Sequence, residues 1–171
     1  MFTHYLTKSN VSMVGLLFVR LYLGWQWFSS GLGKITGDGF NASGFLAVAV
    51  ENPVRSGSGA IAYPWYNSFI ETIVLPNAEI FSFIVMWGEL LVGLGLIVGL
   101  FTTTAAFFGG TMNVSFMLAG TVSTNPIMLL LAILLMIGKG KSGAIGLDSV
   151  VKQIRRKKQD PPMKKELEFV S

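Results

Sequence analysis

The sequence predicts an all-α integral membrane protein, a bundle of four helices with both termini in the cytoplasm and a long outer loop between helices 1 and 2. Of the 171 residues, 51% are hydrophobic and only 13% are charged, which is about half the charged fraction of an ordinary soluble domain. Several apolar runs approach the roughly 20 residues that an α-helix needs to cross a bilayer. Basic residues cluster after the last of these runs and favour a cytoplasmic C-terminus.

The first predicted span covers residues 11–30 and is interrupted by Arg20. A cleaved signal peptide is the alternative interpretation. Its basic region would contain only Lys8, however, its apolar run would be too long, and no small-residue cleavage site follows closely. We therefore expect an uncleaved helix that remains in the membrane.

The outer loop is predicted at residues 31–76, where Gly and Pro recur. It is too apolar for a solvated linker. Its stretches at 44–50 and 63–75 contain apolar and aromatic residues that suit the membrane interface, where Trp and Tyr rings place an apolar body in lipid and a polar edge in water. We expect this loop to cap the bundle.

Three further spans are predicted at residues 77–100, 102–120 and 122–138. The second and third are joined by a very tight turn at 101–104. The fourth has a continuous apolar core of about 13 residues, short of the roughly 17 that a perpendicular span needs. It therefore crosses fully only if it begins near Val122, and a tilted or partly re-entrant segment is the alternative.

The four-span membrane domain at residues 1–138 is followed by a basic tail at 139–171. The tail carries nine Lys or Arg against four Asp or Glu, a net charge of +5, whereas the domain carries four against five, a net charge of −1. This asymmetry places the C-terminus in the cytoplasm, and four spans return the N-terminus to the same side. Topology explains the basic tail better than nucleic-acid binding does.

Within the tail, apolar residues recur at helical spacing beside basic ones, at Leu147, Val150, Val151 and Ile154. This pattern predicts an amphipathic helix that lies on an anionic leaflet. The segment beyond Asp160 is expected to be disordered.

Two charged residues, Arg20 and Glu89, fall inside predicted spans. A charge near the bilayer centre costs roughly 3 kcal/mol or more, so each of them requires a partner or a function. Counted from the inner ends of their spans, their heights differ by about 3 Å at 1.5 Å per residue. We expect a buried ion pair that either locks two helices together or lines a cavity for a polar group such as a quinone carbonyl.

Three more polar residues are candidates for the same site. Lys34 at the outer end of the first span is expected to meet Glu79 at the outer start of the second. Asn113, in the third span, is expected to line the pocket or to form a hydrogen bond between helices.

Glycines at helical spacing predict where helices pack closely. Gly24 and Gly31 share the face of the first span that carries Arg20. Gly95 and Gly99 form a GxxxG motif in the second span. Such motifs are common in membrane helices, so we expect packing rather than ligand binding from these glycines.

The composition excludes several kinds of site. The chain has no cysteine, so disulfides, thiolate metal sites and thioether-linked haem are excluded. The single histidine, His4, excludes paired-histidine haem ligation within the chain. We expect no metal and no covalent cofactor, because no recognised ligand spacing is present. Phosphate-binding loops and catalytic triads are also absent, so no catalytic residue is assigned.

Three segments occur in order along residues 15–150: RLYLGWQWFSSGLGK at 20–34, GELLVGLGLIVGLFTTTAA at 88–106 and GAIGLD at 143–148. Together they resemble the DoxX and DoxD-like family of small bacterial and archaeal membrane proteins. The resemblance implies a four-helix fold and a multi-pass location in the cell membrane. For some members it also implies association with quinone-linked oxidoreductases, including the small subunit of thiosulfate:quinone oxidoreductase, or with membrane redox complexes that handle oxidative stress.

The family motif positions correspond here to Arg20, Gly24, Gly31, Lys34, Gly88 and Glu89. The resemblance implies no catalytic duty for them. The long aromatic segment at 31–76 departs from the family pattern, which puts direct transfer of a substrate in doubt.

Two hypotheses follow. The chain is a membrane subunit of a quinone-linked oxidoreductase or oxidative-stress complex that holds a quinone between the first two spans, or it is a non-enzymatic binding, transport or scaffolding protein. In the second case the charged pair is structural and the outer segment recognises a lipid or partner. A channel is a weaker third possibility. Expected partners are the lipid bilayer and either another protein or a second copy of the chain, but not nucleic acid.

Overall fold

A computed structural model describes residues 10–37, 39–138 and 141–159. These residues are helical apart from turns and an isolated antiparallel bridge between Arg55 and Ile61, which confirms the all-α fold class. The helices of the described residues are α1 (Asn10–Thr36), α2 (Ser43–Glu51), α3 (Pro64–Phe69), α4 (Ala78–Val98), α5 (Thr102–Leu118), α6 (Asn125–Gly138) and α7 (Leu147–Gln159).

Helices α1, α4, α5 and α6 pack around one apolar core. The α1–α4 contact is the most extensive, α5 packs on α6, and the α4–α5 and α1–α6 contacts complete the arrangement. Each helix contributes small or apolar residues at intervals of three or four, the period that turns one helical face inward. The buried residues of this core are Leu16, Leu23, Trp27, Val92, Leu96, Ala105, Ala106, Met128, Ala132 and Leu135.

Glycines set the distance between α1 and α4. A Cβ atom added to Gly31 would lie 2.5 Å from the backbone nitrogen of Leu90, and one added to Gly24 would lie 3.0 Å from the Cβ of Leu96. Gly31 has no room for a side chain, and at Gly24 even a methyl group would require its neighbours to shift by a few tenths of an ångström. Because later residues of α1 face earlier residues of α4, the two helices run antiparallel and their register is fixed.

The helix boundaries differ from the predicted spans. Helix α1 continues six residues past the predicted end at 30. The helical run that contains α4 begins at Pro64, because α3 continues through a π-helical turn at Ile70–Val74 and a 3-10 turn at Leu75–Asn77. Proline is tolerated in the first turn of a helix, so Pro64 and Pro76 do not break this run. Much of the predicted outer loop is therefore helical.

Residues 40–77, which we call the cap, cover one end of the bundle with a second apolar cluster. The Oγ of Ser82 accepts a hydrogen bond from the backbone N–H of Ala42 at 2.8 Å and ties the cap to α4. The hydroxyl of Tyr66 donates to the carbonyl of Ser115 at 2.8 Å and ties it to α5. The buried members of the cluster are Ala42, Leu46, Ala49, Ile70, Val74 and Ala78.

The opposite end of the bundle, which we call the tail end, joins the start of α1, the α4–α5 turn and the end of α6. A Cβ atom on Gly138 would lie 2.7 Å from the Cδ1 of Leu16, so the end of α6 packs directly on α1. Helix α7 follows at this end, and its apolar residues Leu147, Val150 and Ile154 are exposed. His4 and the segment beyond Asp160 lie outside the described residues.

The outer surface of the bundle is strongly apolar. Soluble proteins rarely expose contiguous apolar patches of more than a few hundred Å². Within the described ranges, the helical run Pro64–Val98 is long and apolar enough to cross a bilayer, with a mean hydropathy of 2.1, whereas Asn125–Gly138 is apolar but shorter. The bulkiest exposed apolar residues of the four helices include Phe18, Trp25, Ile80, Phe83, Leu91, Phe107, Phe108, Ile127 and Leu130.

Replacing Gly31 with alanine is expected to lower the free energy of unfolding by about 1–3 kcal/mol, the usual cost of overpacking. The added methyl group would collide with the backbone of α4. The matched control is Gly33→Ala, because a Cβ at Gly33 meets nothing within 4 Å. Alanine there should leave stability unchanged or raise it by up to about 1 kcal/mol. Thermal unfolding in mild detergent measures both, and equal midpoints would contradict the close approach.

Candidate functional site

A buried ion pair joins α1 and α4 near the cap. Glu89 is 2% exposed, and its Oε2 accepts hydrogen bonds from the Nζ of Lys34 at 2.5 Å and from the Oγ of Ser30 at 2.9 Å. Lys34 also donates to the Ser30 hydroxyl at 2.8 Å, and its ammonium lies 5.3 Å from the ring centroid of Phe40. These charge-assisted bonds offset the cost of burying the carboxylate.

The local sequence explains why these groups meet. Gln26, Ser30 and Lys34 are spaced four residues apart and form a polar line along α1. Gly31, next to this line, lets the backbone of α4 approach closely, and a Cβ there would lie 3.1 Å from the carbonyl carbon of Glu89. The missing side chain therefore brings the carboxylate within reach of the hydroxyl and the ammonium.

A cavity of about 490 Å³ opens beside the ion pair, a size within the roughly 300–1,000 Å³ typical of small-molecule sites. We call it the polar cavity. Its polar lining residues are Gln26, Ser30, Lys34, Glu89, Thr121, Ser123, Thr124 and Asn125. Its apolar and aromatic lining residues are Trp27, Phe40, Phe45, Val85, Phe116 and Met128.

The α5–α6 loop forms one wall of the polar cavity. The side-chain amide of Asn125 donates to the carbonyl of Thr121 at 2.9 Å, which fixes the loop on itself. Ser123 has a φ of 35°, a conformation that costs a non-glycine residue roughly 1–3 kcal/mol. Strain of this kind is often found where side chains are positioned for a ligand.

A second cavity, of about 300 Å³, lies beside the first and shares Phe40, Phe45, Val85 and Phe116 with it. We call it the apolar cavity. It lies between the cap and helices α4 and α5. Its remaining lining residues are Ala42, Leu46, Tyr66, Phe69, Ile70, Val74, Phe81, Ile84, Met112, Ser115 and Ala119.

Two buried polar side chains, one in α5 and one in α1, have no hydrogen-bond partner among the described residues; the first lines neither cavity and the second lines the polar cavity. They are the amide of Asn113, which is fully buried, and the Nε1 of Trp27. A Cβ on Gly109, one turn before Asn113, would lie 2.8 Å from that Nε1, so α5 presses against the indole. Buried polar groups are normally satisfied, and these two are suited to an ordered water or a ligand.

Arg20 lies at the tail end and is 3% exposed. Its Nη1 donates to the carbonyl of Ser142 at 3.1 Å, and its guanidinium packs against Gly99 and Gly146. Asp148 is near enough to attract it electrostatically. Gly99 has a φ of 68°, so a side chain there would be strained and would also collide with the guanidinium.

The predicted ion pair between Arg20 and Glu89 is therefore wrong. The Arg20 guanidinium lies beside Gly99, ten residues after Glu89 and about 15 Å away along a helix at 1.5 Å per residue. The prediction assumed that the first two spans have level inner ends. The observed packing of Gly31 on Leu90 instead places Arg20 opposite the α4–α5 turn.

The other predicted residues take different positions. Lys34 pairs with Glu89 and forms no ion pair with Glu79, which is exposed in the first turn of α4. A Cβ on Gly95 would lie 3.4 Å from the Cβ of Ala105, so this glycine faces α5 while Gly24 and Gly31 face α4.

Asp148 anchors the chain that follows α6 to the tail end. Its carboxylate accepts hydrogen bonds from the backbone N–H groups of Phe101 at 2.8 Å and Thr102 at 3.0 Å. Its own N–H donates to the carbonyl of Gly99 at 2.8 Å. A carboxylate at this position caps the start of α5 and interacts favourably with its dipole. It also holds Phe101, whose φ is 51°, in the left-handed region.

Sequence reasoning missed Ser30 and Asp148. Ser30 had a usable signal, because it lies one helical turn before Lys34 and shares its face. Asp148 had no local signal, because the N–H groups that donate hydrogen bonds to its carboxylate lie 46 and 47 residues earlier in the chain.

In a comparison with protein-family models, residues 15–122 match the family described as DoxX. The matched region contains Arg20, Lys34 and Glu89 and extends from α1 through α5. No curated protein and no solved structure matches the chain.

Replacing Asp148 with alanine is expected to lower the thermal unfolding midpoint. The change removes the acceptor for two N–H groups, a loss typical of helix caps at about 1–2 kcal/mol, and withdraws the negative charge that faces Arg20. The control is Gln153→Ala on the same helix, since Gln153 is exposed and its loss should change the midpoint little. An Asp148→Ala midpoint equal to that of the control would contradict the capping role.

Proposed function

Because this chain belongs to the DoxX family, we propose that it is a membrane subunit of a quinone-linked oxidoreductase or of a redox complex that handles oxidative stress. The observation that carries the proposal is the Lys34–Glu89 pair at the wall of the polar cavity. A charged pair inside an apolar bundle is costly, and such residues commonly mark a substrate or proton pathway.

The residues of the polar cavity fit a quinone headgroup. Such a headgroup is a flat ring whose carbonyl oxygens accept hydrogen bonds. The side chain of Lys34 is 23% exposed, against 2% for Glu89, so Lys34 is the more accessible member of the pair. The rings of Trp27 and Phe116, with centroids 6.4 Å apart, provide aromatic surface beside it. A bound quinone would supply two-electron, two-proton acceptor chemistry.

The protein's own contribution is to bind and orient the headgroup. Lys34 donates a hydrogen bond to a carbonyl oxygen and keeps its position because Glu89 and Ser30 hold it. The Ser30 hydroxyl accepts from Lys34 and donates to Glu89, so a line of hydrogen bonds joins these three residues in the wall of the polar cavity. This line offers a path by which a proton is held or passed.

The proposal includes four membrane spans, α1, α4, α5 and α6, with both termini in the cytoplasm and the polar cavity toward the outer side of the cell membrane. Its support is the apolar surface of all four helices and the exposed basic residues of α7 at the tail end, Lys152, Arg155 and Arg156. With 14 residues, α6 is about 21 Å long. It therefore crosses a bilayer core of about 30 Å only with help from its flanking loops.

A non-enzymatic binding protein is the second candidate, and the apolar cavity favours it. That cavity suits a lipid as well as a quinone, and a lipid carrier needs no electron donor. The chemical identity of the bound molecule separates the two functions.

Glu89→Gln and Lys34→Gln are each expected to reduce the quinone that co-purifies in mild detergent by at least tenfold. A hydrogen bond to a charged group contributes about 1.5–3 kcal/mol, and either change leaves the other member of the pair without its counter-charge. Extraction and quantification of quinone against protein measures the loss, with circular dichroism to show that each variant is folded.

The control for this experiment is Glu79→Gln, which alters an exposed carboxylate on the same helix and should retain the wild-type amount. If wild type and all three variants carry equal trace amounts of quinone, the quinone proposal fails and the lipid-binding function takes its place.

The topology is tested by single-cysteine labelling, since the chain contains no cysteine. Ser58→Cys in the cap is expected to react with a membrane-impermeant maleimide on intact cells. Gln153→Cys in α7 is expected to react only after permeabilisation. Both positions are exposed, so a difference reports the side of the membrane. Labelling of Gln153→Cys on intact cells would contradict the cytoplasmic C-terminus.

A further inference from the structure

Binding of a headgroup in the polar cavity does not make use of the apolar cavity. Its volume is about 300 Å³, at the lower end of the range for ligand pockets, and its walls are mostly aliphatic and aromatic side chains. Cavities with apolar walls remain dry and bind apolar molecules. The size and the lining therefore point to a hydrocarbon occupant.

The polar side chains in the lining are Tyr66 and Ser115, and both have hydrogen-bond partners inside the protein. The Tyr66 hydroxyl donates to the carbonyl of Ser115 at 2.8 Å. The Ser115 hydroxyl donates to the carbonyl of Thr111 at 3.0 Å. Neither hydroxyl requires a water or a polar ligand, so nothing in this cavity selects for a polar group.

The apolar cavity adjoins the polar cavity and shares four wall residues with it. The residues common to both are Phe40 and Phe45 of the cap, Val85 of α4 and Phe116 of α5. Phe40 marks the boundary, since its ring faces the Lys34 ammonium at 5.3 Å and also lines the apolar side. A molecule that spans this boundary must be polar at one end and apolar at the other.

The rim of the apolar cavity is compatible with entry from lipid. Phe45, Phe69 and Ile84 line it and are exposed. Ile84 belongs to the same apolar outer surface as Ile80 and Phe83. A chain that leaves the cavity across this rim meets hydrocarbon rather than water in the proposed orientation.

We propose that the apolar cavity holds the aliphatic tail of the molecule whose headgroup occupies the polar cavity, which makes the ligand a quinone with a prenyl chain rather than a water-soluble quinone. This inference rests on the proposed function for its headgroup. The acyl chain of a phospholipid shares the tail chemistry, and the experiment below separates the two sources.

The test compares quinones with one headgroup and zero, one, two or more prenyl units for binding to the full-length protein in mild detergent. Three proteins are measured: wild type, Ala119→Leu and Ala47→Leu. Ala119 lines the apolar cavity, so leucine fills part of it, whereas Ala47 on α2 lines neither cavity. Partition of the longer quinones into detergent is the same for all three proteins and cancels in the comparison.

In wild type and Ala47→Leu, lengthening the chain from zero to two units is expected to lower the Kd by at least tenfold. In Ala119→Leu the ratio of the Kd with zero units to the Kd with two units should be at least threefold smaller than in wild type, while the Kd of the chain-free quinone stays the same. If the chain-free quinone binds but chain length has equal effects in all three proteins, the tail inference is overturned and the proposed headgroup site stands.

A long-chain diacyl phosphatidylglycerol and its short-chain analogue form the last arm of the experiment. If no quinone binds but the long-chain phospholipid does, and Ala119→Leu removes its advantage, the tail cavity is supported and the quinone proposal is overturned. If neither class shows a chain-dependent Kd that Ala119→Leu alters, the tail inference is overturned.

Discussion

The close approach of α1 and α4 is the constraint on which the rest of the structure depends. It depends on Gly24 and Gly31 of α1 and on Gly93 of α4, which present no side chain to the facing helix. The resulting register places Ser30 and Lys34 beside Glu89, so two costly charges neutralise one another inside an apolar bundle. The same register places Arg20 at the opposite end, where its guanidinium donates a hydrogen bond to the carbonyl of Ser142 and packs against Gly146.

The bundle is therefore polarised along its length. One end combines a charged pair, a polar cavity and an apolar cavity beneath a helical cap, and so carries the groups that we propose to contact a ligand. The other end combines Arg20, Asp148 and Gly99, whose contacts join the start of α7 and the α4–α5 turn to α1. Of the charged positions in the family pattern, Lys34 and Glu89 thus line the polar cavity, whereas Arg20 lies at the tail end.

Composition and periodicity were sufficient to predict the helical class, the four long helices and the identity of the buried charges. They did not predict which charged residues form the ion pair. Ion pairing between two helices depends on how far one helix is shifted along the other, and nothing in the sequence of a single helix specifies that shift. Gly93 illustrates the difficulty. It packs against Phe28 of α1, yet in the sequence it resembles the other glycines of a glycine-rich span. Its contact with the facing helix, which the sequence does not show, is what makes it different.

The position of the cap over the bundle was predicted, but its helical structure was not, and the cause is different. Prolines at 64 and 76 suggested a loop, but each lies where a helix accepts it, in the first turn of α3 and in the 3-10 turn before α4. The aromatic residues of this region then pack on the bundle. The polar line of Gln26, Ser30 and Lys34 was visible in the sequence, whereas the cavities needed the cap to be in place.

The anchoring of Asp148 to the α4–α5 turn has a consequence for biosynthesis. The turn emerges from the ribosome well before its cap does, because Asp148 is translated 47 residues after Phe101. Until then the first N–H groups of α5 and the guanidinium of Arg20 lack their carboxylate. Completion of the tail end is therefore a late event in assembly, and a nascent chain that stops short of it exposes unsatisfied polar groups that cellular quality control can recognise.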